Sequence, residues 1–591
     1  MLRQQGTGPH HGETPLVLTP PPLARRRLLR VLPLAICLLS FLAFLPALQA
    51  GFVNWDDTAN LLNNPQFRGL GWPQLRWMLT STLMGHYIPL TWLSLGVNYA
   101  LGGMVPWGYH LGNLLLHAAS AGVFYFVARR LLAAGFAARD LSIALGAALA
   151  ALAFGVHPLR AESVAWVTER RDVLSGLFYL LAVLAYLRGV EGGGAIRSGW
   201  RAASLLAFGA ALLSKAMAMT LPATLLLLDL YPLRRQDRGW KALLGEKAPY
   251  GALALLGAAA AVVALRQGAA VTGYGEYGAA ARVALVGYSL GFYPWAMLWP
   301  VSLSPLYEIP AWVNPVEWRF LGPTLGVVLV TGVLVALRRR WPAGLAAWAH
   351  SAIVLAPVSG IVHAGYQLAH DRYSYLSGLG FATLVGAGLT WMARAGRAGR
   401  VAGWMPGAVT VAAVLVVLGW GAGAWRQSQI WQSSERLWQA ALEADPECAL
   451  CNNNMGAAIV RSGRTDPARL HQAEAHFRYA ILLRPERPDP YHNLGTLLAG
   501  QKRYHEAGWA LRTYMRLSPG APDGPLRLGM LYLDQGRYAE AVVSLDGALR
   551  LKADYPEARA ERARALDALR ATDPALAERL TDRGRGEPHG P

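Results

Sequence analysis

Three cysteines in 591 residues are too few for a disulfide-built fold, and one of them, Cys37, lies inside an apolar run. Cys448 and Cys451 form a C-x-x-C one helical turn apart. That spacing suits a redox motif or a local disulfide on an oxidising face; no second pair completes a metal site, and no thioredoxin-like pattern surrounds it. Charge is scarce too: 15% of residues are charged against 54% hydrophobic. With a mean hydropathy of +0.26, this excludes a purely soluble chain and points to an integral membrane protein. Acids are outnumbered, 36 against 55 bases, for a formal net charge of +19. The arginines gather at the ends of apolar runs, as in Arg234, Arg235 and Arg238, or Arg338, Arg339 and Arg340. The excess therefore reads as membrane topology with some attraction to anionic lipid, and no nucleic-acid partner is expected.

What the chain has in quantity is apolar runs. Residues 31–50 are long enough to cross a bilayer and follow Arg25, Arg26, Arg27 and Arg30, which keeps the N-terminal tail (1–30) in the cytoplasm. Further crossings are expected at 109–132, 141–156, 173–187, 253–265, 321–337, 345–362, 375–392 and 404–425, with a broken pair in 201–231. Segments 87–101 and 282–298 are interrupted or out of step with the charge bias, so both are expected along the interface. The result is an all-α membrane domain over 31–426 with about eleven spans.

This topology puts several polar clusters on one non-cytoplasmic rim. The stretch Gly51 to Asp57 emerges after the first span, with Trp55 as an expected interfacial anchor and Asp56 and Asp57 beside it. A bare Asp-Asp is ordinary loop polarity or helix capping; here it has company. Residues 157–172 hold His157, Arg160, Glu162, Glu169, Arg170, Arg171 and Asp172 among Val, Ala and Trp. Glu162 and Glu169, seven apart, are expected on one helix face. Lys215 interrupts the broken pair, and a lysine at that depth calls for an anion. His370, Asp371 and Arg372, with His363 before them, complete the set. His110, Asn113 and His117 share one face of the second span, for helix–helix hydrogen bonding or for a substrate.

From about residue 427 the composition turns polar and helical. Gly495, Tyr504 and Ala507 recur 34 residues on as Gly529, Tyr538 and Ala541, and Pro519 has Pro485 the same distance before it. That period is the tetratricopeptide signature and predicts an α-solenoid over 427–570. Gly456 and Ala473 fit an earlier repeat carrying an insertion near Asp466, and 438–446 reads as the second helix of a degenerate first unit. A cap and polar tail follow, with 571–591 as the tail. The solenoid suits capture of an extended polypeptide, or packing on the membrane domain or on a second copy.

Several of these motifs occur together in one family. Phe52-x-x-Trp55-Asp56-Asp57 with Asn64-Pro65, Pro89 to Ser94, and Gly108-x-His110-x-x-Asn113-x-x-x-His117 resemble the transmembrane and tetratricopeptide-repeat-containing proteins. So do His157-Pro158-x-x-x-Glu162-Ser163-Val164-Ala165-Trp166-Val167 with Arg170 and Asp172, Leu213-Ser214-Lys215, and Asp371-Arg372-Tyr373. The likeness covers roughly residues 30–560 and is nearest to bacterial members; Ala216, where that branch usually has proline, is a departure. Animal members of the family are protein O-mannosyltransferases with a C-type glycosyltransferase (GT-C) fold. The resemblance thus implies transfer of a sugar from a polyprenyl-phosphate donor to an acceptor hydroxyl, with protein Ser or Thr the expected acceptor. It implies a multi-pass protein of a bacterial inner membrane with a periplasmic solenoid.

In that chemistry a carboxylate must take the hydroxyl proton or orient the hydroxyl, with Asp56 first choice and Asp57 its neighbour. Cations must meet the leaving phosphate: Arg372 and Lys215, backed by Arg170 or Arg171. Glu162 would hold the sugar or an arginine, while His157 and His110 are candidates for phosphate. No cofactor is required by the spacing, although Asp56, Asp57 and Glu162 would suit a divalent metal. A non-enzymatic scaffold would not need charged side chains gathered at the membrane rim, and a transporter would be expected to show internal symmetry that is absent.

Overall fold

The computed structural model describes residues 23–267, 278–361, 365, 367–463 and 466–583. Most of the N-terminal tail, His363 and the end of the polar tail lie outside the described residues. Among these residues the fold is helical, apart from a two-stranded antiparallel sheet pairing Tyr307–Glu308 with Gln367–Ala369.

Five helices are long and apolar enough to cross a bilayer: Pro106–Phe136, Val167–Gly189, Trp240–Gln267, Trp318–Ala336 and Met405–Ile430. Two bent pairs raise this to seven, Leu141–Gly155 with Pro158–Ala165 at 54° and Asp371–Ser377 with Leu379–Arg397 at 58°. The other four expected crossings fall on Leu23–Ala43, Ser198–Ser214, Ala216–Leu230 and Pro342–Val358, which are shorter or less apolar. Each break has a local cause. His157-Pro158 ends the first half-helix because proline offers no N–H and crowds the preceding turn. At Lys215 the backbone is extended (φ −159°, ψ 130°), so Ser198–Ser214 and Ala216–Thr220 are separate helices with the lysine at the tip.

Burial separates the spans. Within an apolar 18-residue stretch of each helix, 72% is buried in Val167–Gly189 and 61% in Pro106–Phe136, but only 6% in Met405–Ile430. The first two are enclosed by protein, which is where they carry their buried polar side chains; the last turns Val411, Leu415 and Leu418 outward, as a lipid-facing helix does. The central layer is closed by small residues. Where Leu141–Gly155 crosses Leu379–Arg397, a Cβ on Gly386 would lie 2.2 Å from the Gly146 carbonyl oxygen. Backbone, not a movable side chain, fills that space. Gly386→Ala is therefore expected to lower Tm and the yield of folded protein by parting these two helices, whereas Gly388→Ala, which meets nothing within 4 Å, leaves both unchanged.

Residues 434–583 form stacked antiparallel helix pairs, including Ala449–Arg461 with Pro467–Leu483, Asp489–Gly500 with Tyr504–Leu517, and Asp523–Asp534 with Tyr538–Leu551. The repeat glycines do one job each time. A Cβ on Gly456, Gly495 or Gly529 would sit 2.6–2.8 Å from Phe477, Leu511 or Leu545 of the partner helix. Pro556–Thr572 and Pro574–Arg583 close the far end. One apolar core runs without interruption from Ile36 through Trp166 to Trp431, Trp438 and Leu494, so the first solenoid units pack on the membrane domain.

Candidate active site at the membrane rim

The Gly51–Asp57 loop is held from both sides. Gly51 N–H donates to the Gln432 carbonyl (3.2 Å), and Asn54 N–H donates to Ser434 Oγ (2.8 Å). The Asn54 amide bonds the Asn454 carbonyl (3.0 Å) and accepts from Trp438 Nε1 (2.6 Å). Trp55 lies between Trp166 (5.0 Å) and Trp438 (4.9 Å). This corrects the expectation of an interfacial anchor: the indole is spent on joining the loop to the solenoid rather than on lipid. Trp438 is fully buried, and Trp438→Ala is expected to cost about 3–5 kcal/mol. Limited proteolysis should then cut near residue 430 in the variant before the wild type.

The two aspartates have different tasks. Asp57 is buried and accepts three hydrogen bonds, from Thr168 N–H (3.1 Å), Thr168 Oγ1 (2.6 Å) and Val53 N–H (3.1 Å). Burial pushes its carboxyl up to about 6 against the pull of those donors. It is the clasp that fixes the loop. Asp56 keeps 22% of its side chain exposed, with Arg171 Nη2 at 4.0 Å. Burial raises its carboxyl above the usual range, and the nearby Arg171 and Arg372 guanidinium groups only partly offset this.

Around Asp56 lies a network of buried ions. Glu169 receives Arg171 (Nη2 at 2.6 Å), Lys215 (3.2 Å) and Arg372 (Nε at 3.3 Å). Lys215 also meets Asp172 at 2.5 Å, which accepts from Ser163 Oγ (3.2 Å). Arg372 pairs with Glu162 through its guanidinium and its own N–H (2.9 Å), and His370 Nδ1 is 3.3 Å from the same carboxylate. Glu162 and Glu169 do not share a helix face. Glu162 belongs to the short helix Ala161–Ala165 and Glu169 to a 3-10 turn, with extended Trp166 between them (φ −84°, ψ 123°). That kink is what lets both carboxylates grip one arginine.

The structure thus brings Asp56, Arg171, Lys215, Arg372 and Glu162 together. It leaves Arg170 and His157 with partners elsewhere, and His110 buried with neither ring nitrogen in a hydrogen bond among the described residues. Arg170 donates to Asn113 Oδ1 (2.5 Å) and the Tyr109 carbonyl (2.7 Å), tying two spans together. His157 accepts from Leu159 N–H (3.2 Å) and meets the Met297 carbonyl (3.0 Å), securing the bend after Gly155. His110 is buried on the 106–136 helix. Asn113 and His117 bond Trp166 and Gly155 carbonyls, so this face serves helix–helix bonding. Among the described residues no three His, Cys, Asp or Glu side chains gather as metal ligands; Asp57 is bound by Thr168 and Val53, and Glu162 by Arg372.

Sequence reasoning gave no site role to Glu169, Asp172 or His86. The first two stand in the charged run of 157–172, where mixed signs already hinted at a buried network. His86 carries no such signal. It is half-buried near Arg171 and Lys215, and burial with those charges holds its imidazole down at about 3, so it is neutral.

Fold and site define a multi-pass helical membrane protein whose tetratricopeptide-type solenoid is fastened to an ion-paired rim. Its curated relatives are protein O-mannosyl-transferases. Human TMTC2 is 33% identical over 201 residues, 32% of this chain and 23% of that protein. Human TMTC1 is 25% identical over 517 residues, 78% of this chain and 56% of its own length. The chain therefore spans from about a quarter to somewhat over half of these relatives. No family model matches it. Among solved structures, ArnT from Cupriavidus metallidurans bound to undecaprenyl phosphate aligns over 88% of this chain and 80% of its own, at 16% identity and a TM-score of 0.32.

Proposed function

We propose that this protein moves a sugar from a polyprenyl-phosphate donor to a hydroxyl of a polypeptide at the non-cytoplasmic rim of a bacterial inner membrane. The observation that carries this reading is the placement of Asp56, partly open and raised in pKa, beside Arg171 and within the field of Arg372, with Lys215 joined to the same network through Glu169. The Asp56 carboxylate takes the acceptor hydroxyl proton as that oxygen attacks the anomeric carbon. The bond from that carbon to the donor phosphate oxygen breaks, and polyprenyl phosphate leaves with the electron pair. Arg372 and Lys215, held by Glu162, Glu169 and Asp172, would meet the added negative charge. The names of the relatives support a mannosyl group and a protein acceptor.

The N-terminus would be cytoplasmic and the solenoid periplasmic. The Cys448–Cys451 disulfide at the start of the Ala449–Arg461 helix fits an oxidising compartment. The solenoid would bring a polypeptide to the rim, since its first unit touches the Asp56 loop. Purified protein given polyprenyl-phosphate mannose and Ser/Thr-rich peptides should release polyprenyl phosphate in step with peptide labelling. Release at the same rate without any acceptor hydroxyl would overturn the transfer reading.

A further inference from the structure

A second charged region stands at the opposite end of the same helices. Asn113, beside Arg170, and Arg130 are 17 positions apart on one helix, and so are Arg171 and Arg188 on another. At 1.5 Å per residue both intervals are about 25 Å, close to the thickness of a hydrocarbon core. A cavity of about 670 Å³ opens there, with arginines 129, 130, 139, 188, 234 and 235 in its wall and only Asp140 and Glu191 to oppose them.

Most of the available carboxylates are engaged. Glu191 pairs with Arg139 at 3.2 Å, and Asp140 with Arg394 at 3.0 Å and Arg397 at 3.6 Å. Arg235 is fixed between Asp229 (2.8 Å) and Glu246 (3.0 Å), the first of which also holds Lys247. Arg129, Arg130, Arg188 and Arg234 have no carboxylate oxygen within 4.0 Å among the described residues. Arg130 and Arg188 are half-buried, and the Nε of each is shut off from solvent without a hydrogen-bond partner. Topology alone asks only that arginines lie on one side of the membrane, where they extend into water. It does not ask that a donor be closed off without an acceptor, as one nitrogen of Arg130 and one of Arg188 are, the Arg188 guanidinium also lying over the Trp200 ring at 5.1 Å; such a donor costs free energy unless an acceptor fills the space.

The cavity also adjoins an apolar cleft between helices. Gly135 and Pro232 line both, and Phe124, Leu132, Leu180 and Leu228 bound the cleft. An occupant that satisfies both parts has an anionic head with hydrogen-bond acceptors and a hydrocarbon chain. We propose that this rim is a binding site for an anionic membrane lipid, its phosphate held by Arg130 and Arg188 with Arg129 and Arg234 at the mouth and a chain in the adjoining cleft. Basic pockets between spans suit lipid phosphates in this way, and arginine suits them better than lysine because its planar fork bonds two oxygens at once. The site is separate from the Asp56 rim and does not depend on the sugar-transfer reading.

The test is lipid binding by the full-length, delipidated protein in detergent, counted by native mass spectrometry. Phosphatidylglycerol, phosphatidylcholine and inorganic phosphate are titrated separately and in competition. The wild type is expected to bind phosphatidylglycerol about ten times more tightly than phosphatidylcholine, with millimolar inorganic phosphate failing to displace it. The double variant Arg130→Gln and Arg188→Gln should lose that preference, Arg130→Lys with Arg188→Lys should keep part of it, and Arg234→Gln, at an exposed position, should weaken it about threefold. Equal binding of the two lipids by wild type overturns the proposal. So does an unchanged preference in the folded double Gln variant, or displacement by inorganic phosphate at the lipid's own concentration. Should the double Gln variant not fold, the wild-type preference and the Arg234→Gln variant decide the matter.

Discussion

Asp56→Asn should abolish sugar transfer while leaving the protein at least as stable as the wild type. The side chain is nearly the same size, so packing is preserved. What changes is the ability to accept a proton, and loss of a positioned general base costs about 10²- to 10⁴-fold in rate. Stability should move the other way. An acid whose folded pKa lies above its unfolded value costs the fold stability once pH exceeds the unfolded value, because the folded site must then carry a charge that burial disfavours. Asp56 is such an acid, so a neutral amide removes that cost at pH 7 and Tm should hold or rise.

The same shift sets the pH profile. Transfer needs the ionised carboxylate, so wild-type activity should fall as pH drops, with its midpoint above the ordinary carboxylate range. Asp56→Glu should retain a weakened acid limb. Asp57→Asn should behave differently: Asn cannot accept as well from both Thr168 donors and Val53 N–H at once, so it should loosen the loop. Thermal melts and initial rates on the three variants separate the base from the clasp.

Arg372→Met should be the most damaging single change to both stability and activity. Its guanidinium joins Glu162 to Glu169, both of which are buried. Removing one partner from such a pair typically costs about 3–5 kcal/mol because the remaining charge stays buried without compensation. Glu169 keeps Arg171 and Lys215, so Glu162 suffers most. Adding Glu162→Gln should therefore recover much of the lost Tm. It should not recover transfer, since the cation facing the leaving phosphate is still missing, and loss of one such charge-stabilising donor is worth about 10²- to 10³-fold. Recovery of full activity along with stability would make Arg372 a structural residue only. Arg372→Lys should be intermediate, because an ammonium cannot span both carboxylates as the fork does.

The long apolar spans were legible because lipid demands such stretches, and the solenoid because a fixed period repeats its small residues at helix contacts. The rim clusters were legible as a set, since charge bias alone placed 51–57, 157–172, Lys215 and 370–372 on one side. Their internal division of labour was not. Asp56 and Asp57 are identical in sequence terms and differ only in that Thr168, more than a hundred residues away, reaches one of them. Trp55 reads as a lipid anchor by composition and becomes a link to the solenoid only because Trp166 and Trp438 arrive on either side. Arg170 and Arg171 are adjacent, yet helical geometry turns one towards Asn113 and the other towards Glu169. Such assignments rest on long-range contacts that periodicity does not carry, which is also why His86 went unnoticed.

The most direct measurement is a comparison of envelope glycoproteins, by intact-mass and glycopeptide analysis, from cells carrying either the wild-type protein or Asp56→Asn at equal abundance. Loss of hexose-modified Ser/Thr peptides in the variant, with the protein still folded in the membrane, is the predicted result. Identical glycopeptides from both strains would contradict Asp56 as the proton acceptor of a sugar transfer.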